Sequence, residues 1–259
     1  MTTLDGQDDG HGHHHGEHRR EGDGIAIDGG YQYRALTEGR PVQRYWHAAK
    51  LRLVDALLGD VSPVTALDLG CGSGVVANHL AAKGIQTTGL DANPAAVAFA
   101  RRTFDRPNLA FREGLVDELD LAPASIDLIV IMEVLEHLHA SQVLPLLRSA
   151  RSLLAPGGRL LLTTPNYAGT WPVLEWMLDH TSLVPHMHED QHVSRWTRRT
   201  LGSALAGAGF RTERIGTYCT VAPFISPLGR HVADRAFDLE LRFDLRFGNL
   251  LYALATPRP

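Results

Sequence analysis

The stretch "VTALDLGCGSGVV", Val64 to Val76, decides the fold. Its first six residues form a short, mostly apolar run of the kind that makes a buried strand. Three glycines follow at alternate positions, Gly70, Gly72 and Gly74. Glycine lets the backbone turn tightly and come close to a ligand. A helical pattern takes over across 73–83, and Gly84 closes it. The start of such a helix aims its N–H groups and positive dipole end at whatever the loop holds. Alone, this could be an ordinary tight connection. Here a second strand, "IQTTGL" (85–90), runs into Asp91. An acid at that distance is placed to accept hydrogen bonds from ribose hydroxyls; the plainer alternative is a surface aspartate.

The spacing also selects the ligand. A dinucleotide loop places glycine at the sixth position, G-x-G-x-x-G, where this chain has Val75. Asp68 stands two residues before the first glycine. An anionic side chain there does not suit a pyrophosphate, but does suit a ligand with an amino group and a sulfonium.

Outward from this loop, strands and helices alternate. "QRYWHAAKLRLVDALLG" (43–59) has helical spacing and ends at Gly59. Asn93-Pro94 opens a helix that runs to about Phe104, with proline at an early position. Further strands are expected at 109–112, 126–132 and 159–165, with a helix over 141–154. A helix from Thr197 to Gly207, a strand at 210–216 and the apolar "NLLYALATP" (249–257) complete the pattern. Such alternation predicts an α/β fold, a largely parallel, doubly wound sheet covered on both faces. Residues 29–259 read as one domain. Two insertions interrupt it, 166–192 and 222–247, the first long enough to serve as a lid. Its "WPVLEWMLDHTSLV" offers Trp171, Val173, Leu174, Trp176, Met177 and Leu178 as a wall for an aromatic or lipid-like substrate, as a peripheral membrane contact, or as core packing. His180, His186 and His188 read as polar lid residues.

Residues 1–28 are low in complexity. Their five histidines (His11, His13, His14, His15, His18) could sequester metal, but the segment reads first as a disordered, solvated tail. It holds seven acids and two arginines, net −5, which leaves the remainder at +1 of a total of −4. A near-neutral body does not favour nucleic acid, so a small or apolar acceptor is the easier expectation. Cys71 and Cys219 give no disulfide framework. No apolar run approaches the roughly 18 residues of a membrane span, and no secretory leader is visible, so a cytoplasmic place is expected.

"LDLGCGSG", "GLDANP" and "MEVLEH", in that order, resemble the class I S-adenosylmethionine-dependent methyltransferases. More narrowly, residues 45–215 are similar to the ubiquinone-biosynthesis O-methyltransferase (3-demethylubiquinone type) branch. The resemblance implies a Rossmann-like seven-stranded sheet whose last strand is antiparallel. It implies S-adenosylmethionine as cofactor and methylation of a small hydroxylated, aromatic or isoprenoid-like molecule. Gly70 and Gly72 would lie under the methionine part, and Asp68 and Cys71 would also bind the cofactor. Asp91 would bind the ribose, Ala92 would lie beside the adenine, and Met132 would flank the cofactor. Arg52 matches an arginine that pairs with the cofactor carboxylate; its alternative is a solvent-facing helix residue. Relatives often place a polar residue on the adenine amino group; here Gly114-Leu115-Val116 implies cover by backbone, Leu115 or Val116 instead.

"MEVLEHLH" (132–139) follows a nearly pure apolar strand with Glu133, Glu136 and His137. If the chain turns helical there, the three fall at i, i+3 and i+4, on one face. Within the same fold, E-x-x-E-H holds a divalent metal in the ubiquinone enzymes and in small-RNA 2′-O-methyltransferases. The latter add a histidine before a W-T pair, as "QHVSRWT" does with His192. A set of Glu133, Glu136, His137 and His192 holding Mg, Mn or a similar ion is therefore one reading. Acid–base or orienting work by Glu133, Glu136 and His137 without metal is another, and structural packing a third. The competing functions are terminal RNA methylation, drawing on Arg195, Arg198 and Arg199, a cofactor-binding module without turnover, and a nicotinamide dehydrogenase, which Val75 disfavours.

Overall fold

The computed structural model describes residues 29–59, 63–180 and 192–258. The histidine-rich segment, His186 and His188 lie outside them. Helices α1 (Tyr31–Thr37) and α2 (Pro41–Leu58) precede β1 (Thr65–Leu69). Then come α3 (Val75–Ala82), β2 (Gln86–Asp91), α4 (Pro94–Thr103), β3 (Leu109–Glu113) and β4 (Ile126–Met132). They are followed by α5 (Ala140–Leu153), β5 (Leu154–Pro165), α6 (Trp171–His180), α7 (Arg198–Gly207) and β6 (Phe210–Tyr218). The second insertion supplies α8 (Ala222–Ile225) and α9 (Arg230–Phe243), and β7 (Leu250–Pro257) ends the sheet.

Among the described residues the sheet has seven strands in the order β3-β2-β1-β4-β5-β7-β6. β7 runs antiparallel to both β5 and β6, and the other pairs are parallel. The expected architecture is the one found. β4 shows why its sequence is apolar without alternation. Leu128, Val130 and Met132 enter a core with α2 and α9, while Ile129 and Ile131 enter another with α5 and α7. A strand covered on both faces needs apolar side chains in both directions.

Three differences from expectation have local causes. β5 begins at Leu154 rather than 159, because Leu154 already pairs with Ile126 before the Pro156-Gly157-Gly158 irregularity. α1 has one buried residue, Ala35, and no apolar stripe to announce it. It is held by tertiary contact, with Tyr33 against the rings of Phe99 and Phe104. α2 begins at Pro41, which takes the first helical turn where its missing N–H costs nothing. Strand order reverses between β1 and β4, and the crevice beyond their carboxyl ends is where doubly wound sheets bind ligands.

Candidate active site

The glycine loop leaves β1 and packs under α1. Gly70 and Gly72 both have positive φ, 76° and 50°. A Cβ on Gly70 would collide with Val134, and one on Gly72 would sit 2.5 Å from Gln32 Oε1. Backbone freedom and close approach thus require glycine at both. Asp91 locks the loop to β2: Oδ2 accepts from Gly72 N (2.7 Å) and Oδ1 from Asn93 N (2.8 Å). Asn93 in turn caps α4 by accepting from Ala95 N at 2.9 Å.

A cavity opens between this loop, α2 and the end of β4. Asp68, Gly70, Cys71, Val75, Val76 and Met132 line one side, and Gln32, His47 and Lys50 the other. Asp68 is fully buried, and among the described residues its Oδ2 has no hydrogen-bond partner. Burial, with the charge of Asp91 added, pushes its carboxyl up to about 7. Burial, helped by the Lys50 charge, drives His47 down to about 3, so its imidazole is neutral. Lys50 Nζ lies 2.7 Å from Glu133 Oε2, with both side chains largely shielded. Glu133 Oε1 is buried with no hydrogen-bond partner among the described residues.

Gln32, His47 and Lys50 were not among the residues picked from sequence. Lys50 did carry a signal. It falls with Leu53, Val54 and Leu57 on the buried stripe of α2. A lysine in an apolar stripe either pairs or reaches a ligand.

Arg52 does not line this cavity. Two residues along a helix turn the side chain by about 200°, so Arg52 faces α9 where Lys50 faces the crevice. Its guanidinium lies 2.8 Å from Asp238, 3.3 Å from Asp234 and 5.3 Å from the centre of the Phe237 ring. These contacts clamp α2 to α9. Ala92 and Leu115 are exposed beside the ends of β2 and β3, and Val116 is buried in the core. Gly114 N donates to Asp91 O at 3.1 Å, tying those strand ends together.

The end of β4 differs from expectation. Glu133 has φ +56°, left-handed for a non-glycine residue, so no helix continues from Met132. Only a short 3-10 turn follows, Leu135–His137. The three acid and imidazole groups do not share a helical face. Glu133 turns to Lys50, and Glu136 turns inward, where it is 1% exposed and accepts from Thr164 Oγ1 at 3.0 Å. Burial and the Glu133 charge push Glu136 up to about 8.

Glu136 and His137 do meet His192. The three place ligand-type atoms within 4.8 Å of one another. Glu133 is not in that group, so the four-membered set reduces to three. Backbone pairing brings His192 here: Ser194 N donates to Glu136 O at 3.0 Å, and Tyr167 N to Trp196 O at 2.8 Å. The His192 and His137 rings are 5.2 Å apart, and Trp171 flanks His192 at 5.9 Å. His192 Nδ1 is 2.6 Å from Glu175 Oε1, and the Tyr167 hydroxyl donates to Glu175 at 3.0 Å. Burial opposes the imidazolium, but Glu175, Glu136 and Glu133 outweigh it and raise the His192 pKa. Neither Glu175 nor Tyr167 was singled out from sequence.

The first insertion divides its apolar residues. Trp171 is buried against the Trp46 ring (5.9 Å) and Leu174 packs on the same core. Val173, Trp176 and Met177 are exposed. His180 stacks on Trp176 at 4.7 Å.

A family model described as a methyltransferase domain matches residues 40–215. The chain belongs to this methyltransferase domain family. The chain is 32% identical to a ubiquinone biosynthesis O-methyltransferase of Serratia proteamaculans over 132 residues, 50% of this chain and 54% of that one. A protein of the same name from Xanthomonas campestris is 34% identical over 129 residues, 49% and 50% of the two chains. The chain spans about half the length of the curated relatives it matches. Among solved structures it is similar to an S-adenosylmethionine-dependent methyltransferase from Mesorhizobium loti, with TM-score 0.58, 21% identity, and 80% and 97% of the chains covered. It is also similar to magnesium protoporphyrin IX methyltransferase from Synechocystis, with TM-score 0.60, 18% identity, and 89% and 94% covered. In fold the chain is similar to these solved methyltransferases. Among the described residues no helix is long and apolar enough to cross a membrane.

Proposed function

We propose that the methyltransferase moves the methyl group of S-adenosylmethionine to a hydroxyl of a small aromatic or isoprenoid-like molecule. The observation that carries this reading is the meeting of Glu136, His137 and His192 at the end of β4, whose Met132 lines the cavity beside the glycine loop. The cofactor half rests on fit. The Asp68 Oδ2, without a hydrogen-bond partner among the described residues, suits the amino group of the methionine part, and Gly70 and Gly72, both at positive φ, shape the loop beside it. Lys50 suits the carboxylate, and Asp91 at the end of β2 the ribose. Leu115 and Ala92 are available to cover the adenine.

A phenol has a reference pKa of about 10, so at neutral pH its oxygen keeps the proton that must leave. The three-residue cluster can accept that proton and orient the oxygen in line with the sulfonium methyl. One carboxylate and two imidazoles also fit a divalent cation, held by Glu136, His137 and His192, with a donor set that favours Mn or Zn over Mg. When bound, such an ion would lower the hydroxyl pKa. Exposed Val173, Trp176 and Met177 support an apolar acceptor, and leave peripheral contact with a lipid surface open as the route by which it arrives.

Terminal RNA methylation is less well supported. Of its basic cluster, Arg198 is engaged by Asp244 (2.7 Å) and Arg195 lies over the Tyr167 ring at 5.5 Å.

The test is transfer of a labelled methyl group from S-adenosylmethionine to simple catechols, before and after chelator. Glu136→Gln and His137→Ala should each lower kcat by about a hundredfold, within the range for a lost acid–base group, while S-adenosylhomocysteine binds as before. Unchanged turnover in both variants would sink the reading.

A further inference from the structure

Tyr167 and Glu175, neither drawn from sequence, extend the cluster outward from His192. Glu175 stands on α6, and His192 is on the strand-like return toward Trp196. Their side chains are 23% and 11% exposed. The 2.6 Å contact is short and charge-assisted. Tyr167 braces the carboxylate on both oxygens, at 3.0 and 3.2 Å, and its own backbone is tied to Trp196. The His192 ring also has two aromatic neighbours, both tilted to it, His137 at 5.2 Å and Trp171 at 5.9 Å. Two aromatic neighbours and a braced carboxylate exceed what holding an insertion in place requires.

We infer that Glu175 is a positioning residue for His192: it takes the Nδ1–H, fixes the ring, and so puts the lone pair on Nε2. A neutral histidine in water prefers the opposite tautomer, with the proton on Nε2. A carboxylate on Nδ1 reverses that preference, which is how carboxylate–histidine pairs commonly set ring orientation and basicity. The Nε2 lone pair is what His192 needs either to take a proton or to bind a cation. The inference therefore holds for both chemistries open to the cluster, and it rests on the methyl-transfer reading only for its effect on turnover. Without Glu175, the Tyr167 hydroxyl, 3.2 Å from Nδ1, would itself donate to that nitrogen and drive the proton to Nε2.

Two readouts test this on the full-length chain. Nitrogen-15 NMR of histidine-labelled protein in alkaline buffer reports the tautomer, with the His192 signals identified by their loss in His192→Asn. Wild type should show the proton on Nδ1. Glu175→Ala should show it on Nε2, and Glu175→Gln, which keeps an acceptor oxygen, should retain Nδ1–H. In parallel, Glu175→Ala should lower kcat for a catechol acceptor by about ten- to a hundredfold, as losses behind a key histidine do, with KM and S-adenosylhomocysteine affinity little changed. Glu175→Gln should recover most of that loss. An unchanged tautomer in Glu175→Ala overturns the inference. So does a Gln variant that loses the tautomer as Ala does, since packing rather than the acceptor oxygen would then be responsible. If no catechol is methylated by wild type, the methyl-transfer reading is what fails, and the tautomer result still decides the role of Glu175.

Discussion

Lys50, which lines the cavity beside the glycine loop, lies 2.7 Å from Glu133, and both side chains are mostly shielded from water. Removing one partner of a buried pair leaves the other charge uncompensated, at a cost of about 3–5 kcal/mol. Lys50→Ala should lower unfolding stability by about 3 kcal/mol on that scale, and Lys50→Ala with Glu133→Gln should recover much of it in urea denaturation. A strictly additive double variant would show that the pair is not coupled. Asp68 sets a pH dependence. Its folded pKa is raised from the ordinary 3.8 to about 7 by burial. The neutral carboxyl therefore contributes stability that is full below the unfolded value and lost as pH rises through the folded one. The cofactor-free protein should lose thermal stability between pH about 4 and about 7, and Asp68→Asn should flatten that slope. At this scale the sequence was legible where a residue's backbone had no alternative. Gly70 and Gly72 could be read, because the turn after a strand needs them. The left-handed Glu133 could not, since nothing in "MEVLEH" marks one residue for positive φ, and that residue decides which acids share a site.

The insertions add α6, α8 and α9. Glu240 of α9 is buried and accepts three backbone N–H groups of the turn into α8, Thr220 (2.9 Å), Val221 (2.6 Å) and Ala222 (2.8 Å). Truncation would orphan all three, at about 1–3 kcal/mol for each buried group left unpaired. Glu240→Ala should cost about 3 kcal/mol or more by denaturant unfolding, and Glu240→Gln distinctly less. α6 separates two tryptophans by role. Trp171 is core, and its replacement by alanine should cost about 3–5 kcal/mol. Trp176 is 61% exposed, so Trp176→Ala should leave stability within about 0.5 kcal/mol while raising KM for an apolar acceptor. Equal loss of cofactor binding and turnover would contradict a role in the acceptor wall. The strands were legible because apolar runs between turn signals have few other uses. α1 was not, since seven residues with one buried side chain make no period.

At the scale of the molecule, one topological fact organises the site. Strand order reverses between β1 and β4, so the glycine loop and the Glu136 cluster open side by side although more than sixty residues separate them in the chain. The fold brings Lys50 from α2 to the cavity beside the glycine loop, and His192 from beyond β5 to Glu136 and His137. Those long-range meetings are set by packing rather than by any local spacing, which is why the candidate ligands were readable from motifs but their true partners were not. The central claim is that this crevice holds S-adenosylmethionine through Asp68 and Asp91. Calorimetric titration of the full-length chain with S-adenosylhomocysteine tests it most directly, beside Asp91→Ala and with NAD as the control. A single site, weakened at least tenfold in the variant and absent for NAD, is the predicted result. No binding, or equal binding by the variant, would contradict it.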